Sequence, residues 1–150
     1  MTIRKATVDD LPRLEALALE FSLASKHIRG FCFDRFREVW AHLIESDTGV
    51  IFLLCDGEAV CGMLGGVIYP DLYSQELIAT EFFWFVAPGH RGRGIELYHA
   101  FEAWAVEMGA RQLRMAYLCD LMPEGMKCLY EELGFEAIET SYGKDLPCIR

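Results

Sequence analysis

Apolar residues recur along this chain with two periods, and the change from one to the other divides it into helical and extended stretches. Up to about residue 45 they return at helical spacing. Leu11, Leu14, Leu17 (or Ala18) and Phe21 share one helix face, with Asp9 or Asp10 as the cap and Pro12 in the first turn, where its missing N–H is no loss. Phe36, Val39, Trp40 and Leu43 line a second helix over about Asp34–Glu45. The polar stretch Ser22–Phe31, broken by Gly30, connects the two, and Ile3–Ala6 before them reads as a short first strand.

From Gly49 the pattern becomes β-like. Val50–Cys55 and Ala59–Tyr69 are joined by Asp56-Gly57-Glu58, a strong hairpin signal, and Gly65-Gly66 inside the second run marks a bulge or a close approach of another backbone. A loop over Pro70–Gln75 leads to a third long strand, Leu77–Val86, ended by Pro88-Gly89. The helical period then returns over about Gly94–Met108, through Leu97, Phe101, Trp104 and Met108, with Gly109 as its stop. A strand over Gln112–Leu118, a helix over Glu124–Leu133 stopped by Gly134, and strands over Phe135–Tyr142 and Leu146–Ile149 complete the pattern. The predicted order is β-α-α-β-β-β-α-β-α-β. It calls for a mixed central sheet of six to seven strands flanked by about four helices, an α/β (α+β) arrangement in one domain over residues 1–150.

Composition narrows the function. With 53% apolar residues the 150-residue chain can fill a core, and it has no apolar run of membrane-spanning length. The first residues lack the apolar core of a signal peptide, so a soluble cytoplasmic protein is expected, with no membrane partner. A formal net charge of −9 argues against nucleic-acid binding, which needs a basic footprint. It is compatible with a cationic small molecule or a Lys-rich peptide, although surface acidity alone also keeps a protein soluble. The six cysteines form no Cys-x-x-Cys pair and have no His at metal-ligand spacing, so they read as reduced and structural, and no metal is expected.

The candidate chemistry centres on His90-Arg91-Gly92-Arg93-Gly94-Ile95, between the apolar strand Phe82–Val86 and an amphipathic helix. A strand, a tight turn and a helix N-terminus together present unpaired backbone N–H groups and a partial positive charge, a cradle for phosphate. The turn lacks the Gly-Lys-Ser/Thr ending of a nucleoside triphosphatase loop.

This order of elements, with Arg91-Gly92-Arg93-Gly94-Ile95-Glu96 at the central turn and Tyr130-Glu131-Glu132-Leu133-Gly134-Phe135 at the end of the last helix, resembles the GCN5-related N-acetyltransferase (GNAT) superfamily. The resemblance implies an acetyl-CoA-dependent N-acetyltransferase acting on a primary amine of a small molecule or peptide. Backbone at Phe85, Val86 and Ala87 would hold the pantetheine and acetyl group between splayed strands Phe82–Val86 and Gln112–Leu118. N–H groups from Arg91, Gly92, Arg93, Gly94, Ile95 and Glu96 would hold the pyrophosphate, with the Arg91 and Arg93 side chains adding charge-assisted bonds. Tyr130 matches the position of the acid that protonates the departing thiolate. Homodimers are common in the family and compatible with the resemblance.

Two positions depart from the family pattern. Glu96 stands where Gly or Ala is preferred, and Pro123 stands where many members carry a cofactor-binding Asn. Glu96 suits the first turn of a helix and can pair with Arg93, but a carboxylate turned towards pyrophosphate would repel it. The alternative reading is therefore a non-catalytic coenzyme A-binding or partner-binding module that keeps the fold. The acetyl transfer that the resemblance implies needs a base, and Glu81 is the single acid in the strand Ala79–Val86, next to the implied acetyl site. Its apolar surroundings give it reason for a raised pKa and make it the candidate general base. Alternation puts Glu81, Phe83 and Phe85 on one face, unless a bulge intervenes. Cys119, Asp120, His27, His42 and His90 are weaker candidates on position alone.

Overall fold

The computed structural model describes residues 1–149. Strands β1 (Thr2–Lys5), β2 (Gly49–Asp56), β3 (Ala59–Pro70), β4 (Leu77–Val86) and β5 (Ala110–Arg114) form one five-stranded sheet in that order. The first four are antiparallel neighbours, and β5 runs parallel to β4. Strand β2 shows why its apolar run is continuous rather than alternating. Ile51, Leu53 and Cys55 pack beneath α1 (Leu11–Ala24) and α2 (Phe33–Glu45), while Val50, Phe52 and Leu54 pack beneath α3 (Gly94–Glu107). A sheet covered on both faces needs apolar side chains on both. Helix α4 (Pro123–Glu132) lies beside α3, where Phe135 packs its ring against both Tyr98 and Tyr130.

The sheet has five strands, not the six to seven expected. Phe135 closes α4 by donating its N–H to the Tyr130 carbonyl (2.9 Å), and from Glu136 to Cys148 and Ile149 the chain has no regular secondary structure and joins no ladder. Ile138, Tyr142, Leu146 and Ile149 stay exposed. Strand propensity is realised only against a partner edge, and these residues have none. Strand β5 ends at Arg114, short of the expected Leu118, because it parts there from β4. In α2, Val39 faces outward while Phe36 and Leu43 are buried.

Asp10 does not cap α1 through its side chain. It is buried, accepts two bonds of 2.7 Å from the Arg4 guanidinium, and accepts the Thr7 N–H at 2.8 Å. These bonds, the one from Arg4 first, hold its pKa down to about 2. A depressed pKa means stability that is present above the ordinary carboxylate range and lost as pH falls through the folded value. Asp10→Asn is therefore expected to cost roughly 2 kcal/mol at neutral pH. It should also remove the wild-type loss of stability between about pH 4 and pH 2, as measured by denaturant melts across that range.

Candidate active site

The site begins with a fault in the β3–β4 ladder. Gly65 pairs with Phe83 but Gly66 pairs with Glu81, so Phe82 is an extra residue in β4. A bulge exchanges the faces of the residues on either side of it. Phe83 and Phe85 point into the core under α1 and α2, where Phe83 stacks on Trp40 at 4.2 Å. Ala79, before the bulge, packs on the α3 side, the side to which a Cβ on Gly66 would point, towards Phe101. Glu81, the partner of Gly66, shares that face. The expected grouping of Glu81 with Phe83 and Phe85 is thus corrected, and the carboxylate is turned towards α3 and α4.

Beyond Thr80 and Arg114 the pairing of β4 with β5 ends and the two strands part. The resulting cleft encloses about 480 Å³. Inside it the Ala116 N–H donates to Glu81 Oε2 at 3.0 Å, and the Tyr130 hydroxyl donates to the Ala116 carbonyl at 2.7 Å. Burial raises the Glu81 pKa to about 7, with the Ala116 N–H working against the rise. Burial, and then the Glu81 charge, push the Tyr130 phenol well above its ordinary value, so it stays protonated. Tyr130 is packed among Trp84, Tyr117 and Phe135, behind the cleft surface rather than on it.

At the other end of the cleft a 3-10 turn over Pro88–Arg93 leads directly into α3. Gly92, Gly94, Ile95 and the Arg91 side chain line the cleft, as do Phe85 and Val86. A Cβ on Gly92 would meet no protein atom within 4 Å, so the backbone there is open to a ligand. An open glycine backbone at a helix start fits the pyrophosphate of acetyl-CoA. Arg91 reaches back over the Phe85 ring, donating from Nε to the Val86 carbonyl (3.3 Å) and approaching Met122 Sδ (3.4 Å).

Some expected ligand groups are already engaged. The Gly94 N–H bonds the Arg91 carbonyl, and Ala87 uses its N–H on Cys61 and its carbonyl on His90, which leaves Ala87 no free amide. Arg93 and Glu96 pair outside the cleft, with Nη2 to Oε1 at 2.7 Å, so the Glu96 carboxylate is turned away from the open Gly92 backbone.

Asp120 ties the two loops at the cleft mouth together. It accepts from Ser25 Oγ (2.7 Å) and the Lys26 N–H (2.9 Å), which hold its pKa down. His90 faces Asp56 of the β2–β3 hairpin, His42 is exposed on α2, and His27 lines no part of the cleft. Cys55 and Cys61 are buried; Cys119 and the other three are exposed.

Part of the wall had no signal in the sequence: Phe21 from α1, and Leu121, Met122 and Met126 around the start of α4. The aromatic run Phe82–Phe85 was expected to be mostly core with part of it at an acceptor pocket, and it is the bulged Phe82 that opens onto the cleft. The doublet Gly65-Gly66 was the available signal for Phe82. Met122, at φ 48°, starts α4 from the left-handed region, and no residue type announced that.

Among the described residues no helix is long and apolar enough to cross a membrane, and no cluster of His, Cys, Asp or Glu is placed to hold a metal ion.

The model of the acetyltransferase (GNAT) family matches residues 15–135, and the chain belongs to that family. It is an acetyltransferase of the acetyl-CoA-dependent type. Solved structures agree on the fold. A protein described as a transcriptional regulator from Bacillus halodurans C-125 superposes with a TM-score of 0.80 at 22% identity, over 97% of this chain and 99% of that one. A ribosomal-protein-alanine N-acetyltransferase from Brucella melitensis biovar Abortus 2308 gives 0.74 at 18%, over 97% and 100%. An aminoglycoside acetyltransferase from an uncultured soil metagenomic sample gives 0.73 at 17%, over 98% and 97%. No curated protein matches by sequence.

Proposed function

We propose that this chain transfers the acetyl group of acetyl-CoA to the nitrogen of a primary amine, with Glu81 as general base and Tyr130 as general acid. The observation that carries the reading is the parting of β4 from β5, with a near-neutral carboxylate at its apex and an open Gly92 backbone at its helix end. Acetyl-CoA supplies the activated thioester. Glu81 takes a proton from the incoming ammonium, which frees the nitrogen lone pair to attack the acetyl carbon. As the C–S bond breaks, Tyr130 turns its O–H from the Ala116 carbonyl and gives the proton to the sulfur, which leaves with the bonding pair. The nitrogen then sheds its second proton, and Tyr130 is reprotonated. The products are the amide and the free thiol of coenzyme A, with one net proton released.

The backbone of Phe85 and Val86 holds the pantetheine arm, once Arg91 releases the Val86 carbonyl and moves to phosphate. N–H groups of the turn Arg91–Glu96 hold the pyrophosphate, with Gly92 as the point of closest approach. The Arg93–Glu96 pair supports this reading over that of a non-catalytic module, because it keeps the departing carboxylate outside the cleft.

Calorimetric titration with acetyl-CoA in the absence of magnesium, followed by thiol release with amines, tests the proposal. Wild type is expected to bind at micromolar concentrations. Gly92→Val should weaken binding about 10-fold or more, because its branch grows into the space the phosphates need from a Cβ position with no protein atom within 4 Å. Unchanged affinity in that variant would move the pyrophosphate elsewhere.

A further inference from the structure

Beside the groups that face the helix start, the cleft is lined by the apolar side chains of Phe21, Ile28, Phe82, Tyr117, Leu118 and Leu121. Phe82 is more than half exposed, although it is a large aromatic residue in the middle of a strand. An aromatic side chain held open at the wall of a concave site is a binding feature. Among the residues lining the cleft, Glu81 is the sole carboxylate and Arg91 the sole cation. The excess negative charge of the chain therefore lies outside this wall. Of the acids beside wall residues in sequence, Asp120 has both carboxylate oxygens engaged by Ser25 and Lys26, and Glu20 is exposed on α1 and lines no part of the cleft.

We infer that the acceptor is a small apolar monoamine, one ammonium on an aromatic or branched aliphatic body, and not a polyamine or aminoglycoside. The inference rests on the acetyl-transfer reading and names the substrate class of that same cleft. One ammonium finds one carboxylate, Glu81, at the apex where the strands part. The carbon body then lies against the ring of Phe82 and the Phe21 and Tyr117 side chains, displacing water from apolar surface. A second or third ammonium would enter this wall with no carboxylate to meet it, and an unpaired charge removed from water is strongly disfavoured. The fold's aminoglycoside-acetylating relative thus shares the frame without implying its acceptor.

The test is a set of calorimetric titrations with 2-phenylethylamine, 3-methylbutylamine, spermidine and neamine, each with and without coenzyme A, beside initial rates with acetyl-CoA. The two monoamines are expected to bind about 10-fold or more tighter than spermidine or neamine, the difference that burying one apolar body provides. Phe82→Asp, at an exposed bulge position, should lose about 10-fold for 2-phenylethylamine. Tightest binding of spermidine or neamine would overturn the inference, for instance through the aromatic rings holding cations directly. So would an amine ranking that Phe82→Asp leaves untouched. If the monoamines bind in the expected order but none is acetylated, the transfer reading fails while the acceptor class stands.

Discussion

Glu81→Gln is expected to lower kcat about 10²- to 10⁴-fold, the range that a positioned general base supplies. The amide keeps the size of the carboxylate and can still accept from the Ala116 N–H, so the loss would report the missing base rather than a collapsed site. The pH profile makes the assignment specific. With a pKa raised to about 7, wild-type kcat/KM should climb as pH rises through 7 and level off above it, as Glu81 loses its proton. In the Gln variant that limb should vanish. Stability should move the opposite way. A carboxylate whose folded pKa is raised above its ordinary 4.5 contributes fully only at low pH, and the contribution is lost as pH rises through 7. The variant should therefore match wild type at pH 4 and be at least as stable at pH 8 in thermal melts. A less active and less stable variant at pH 8 would point to a structural role for Glu81.

Gly66→Ala is expected to be the most damaging single-methyl change in the sheet. A Cβ there would fall inside contact distance of the Thr80 carbonyl oxygen and 2.7 Å from Phe101 Cζ. The first is backbone of a central strand and the second a ring with no exposed surface, so neither yields easily. A cost of about 3 kcal/mol follows, roughly 6–12 °C in Tm for a chain of this size. Activity should fall with stability, because relief of the clash moves Thr80 and with it Glu81. Gly92→Ala, whose Cβ meets nothing within 4 Å, is the matched control and should melt as wild type does. Equal melting of the two variants would show that the bulge relaxes freely.

The helices were legible because each repeats its period over several turns, the three long strands because their β-rich apolar runs are bounded by turn residues, and the Arg91–Glu96 turn because it joins the two patterns. The pairing of Glu96 with Arg93 could be reasoned from a helix start alone. What could not be read were consequences of partnership. Phe135–Ile149 has strand-forming residues, but a strand exists only where an edge receives it. Strand alternation assigned Glu81 to the wrong face because one extra residue, Phe82, resets the parity, and Gly65-Gly66 signalled a bulge without saying which strand carried it. Part of the cleft wall stayed hidden for a related reason: Phe21, Leu121 and Met126 are ordinary apolar residues until separate elements bring them together.

Ala116 carries more than its own geometry. Its N–H is held by Glu81 and its carbonyl by Tyr130, so the proposed base and acid are tied to two successive peptide planes that meet at one Cα. Charge on Glu81 also acts on the phenol through space and holds its proton in place. When Glu81 takes up a proton, that hold weakens and the phenol is freed. The pair thus acts as an escapement: the acid is locked while the base is charged, and it is released by the event that readies the nitrogen to attack.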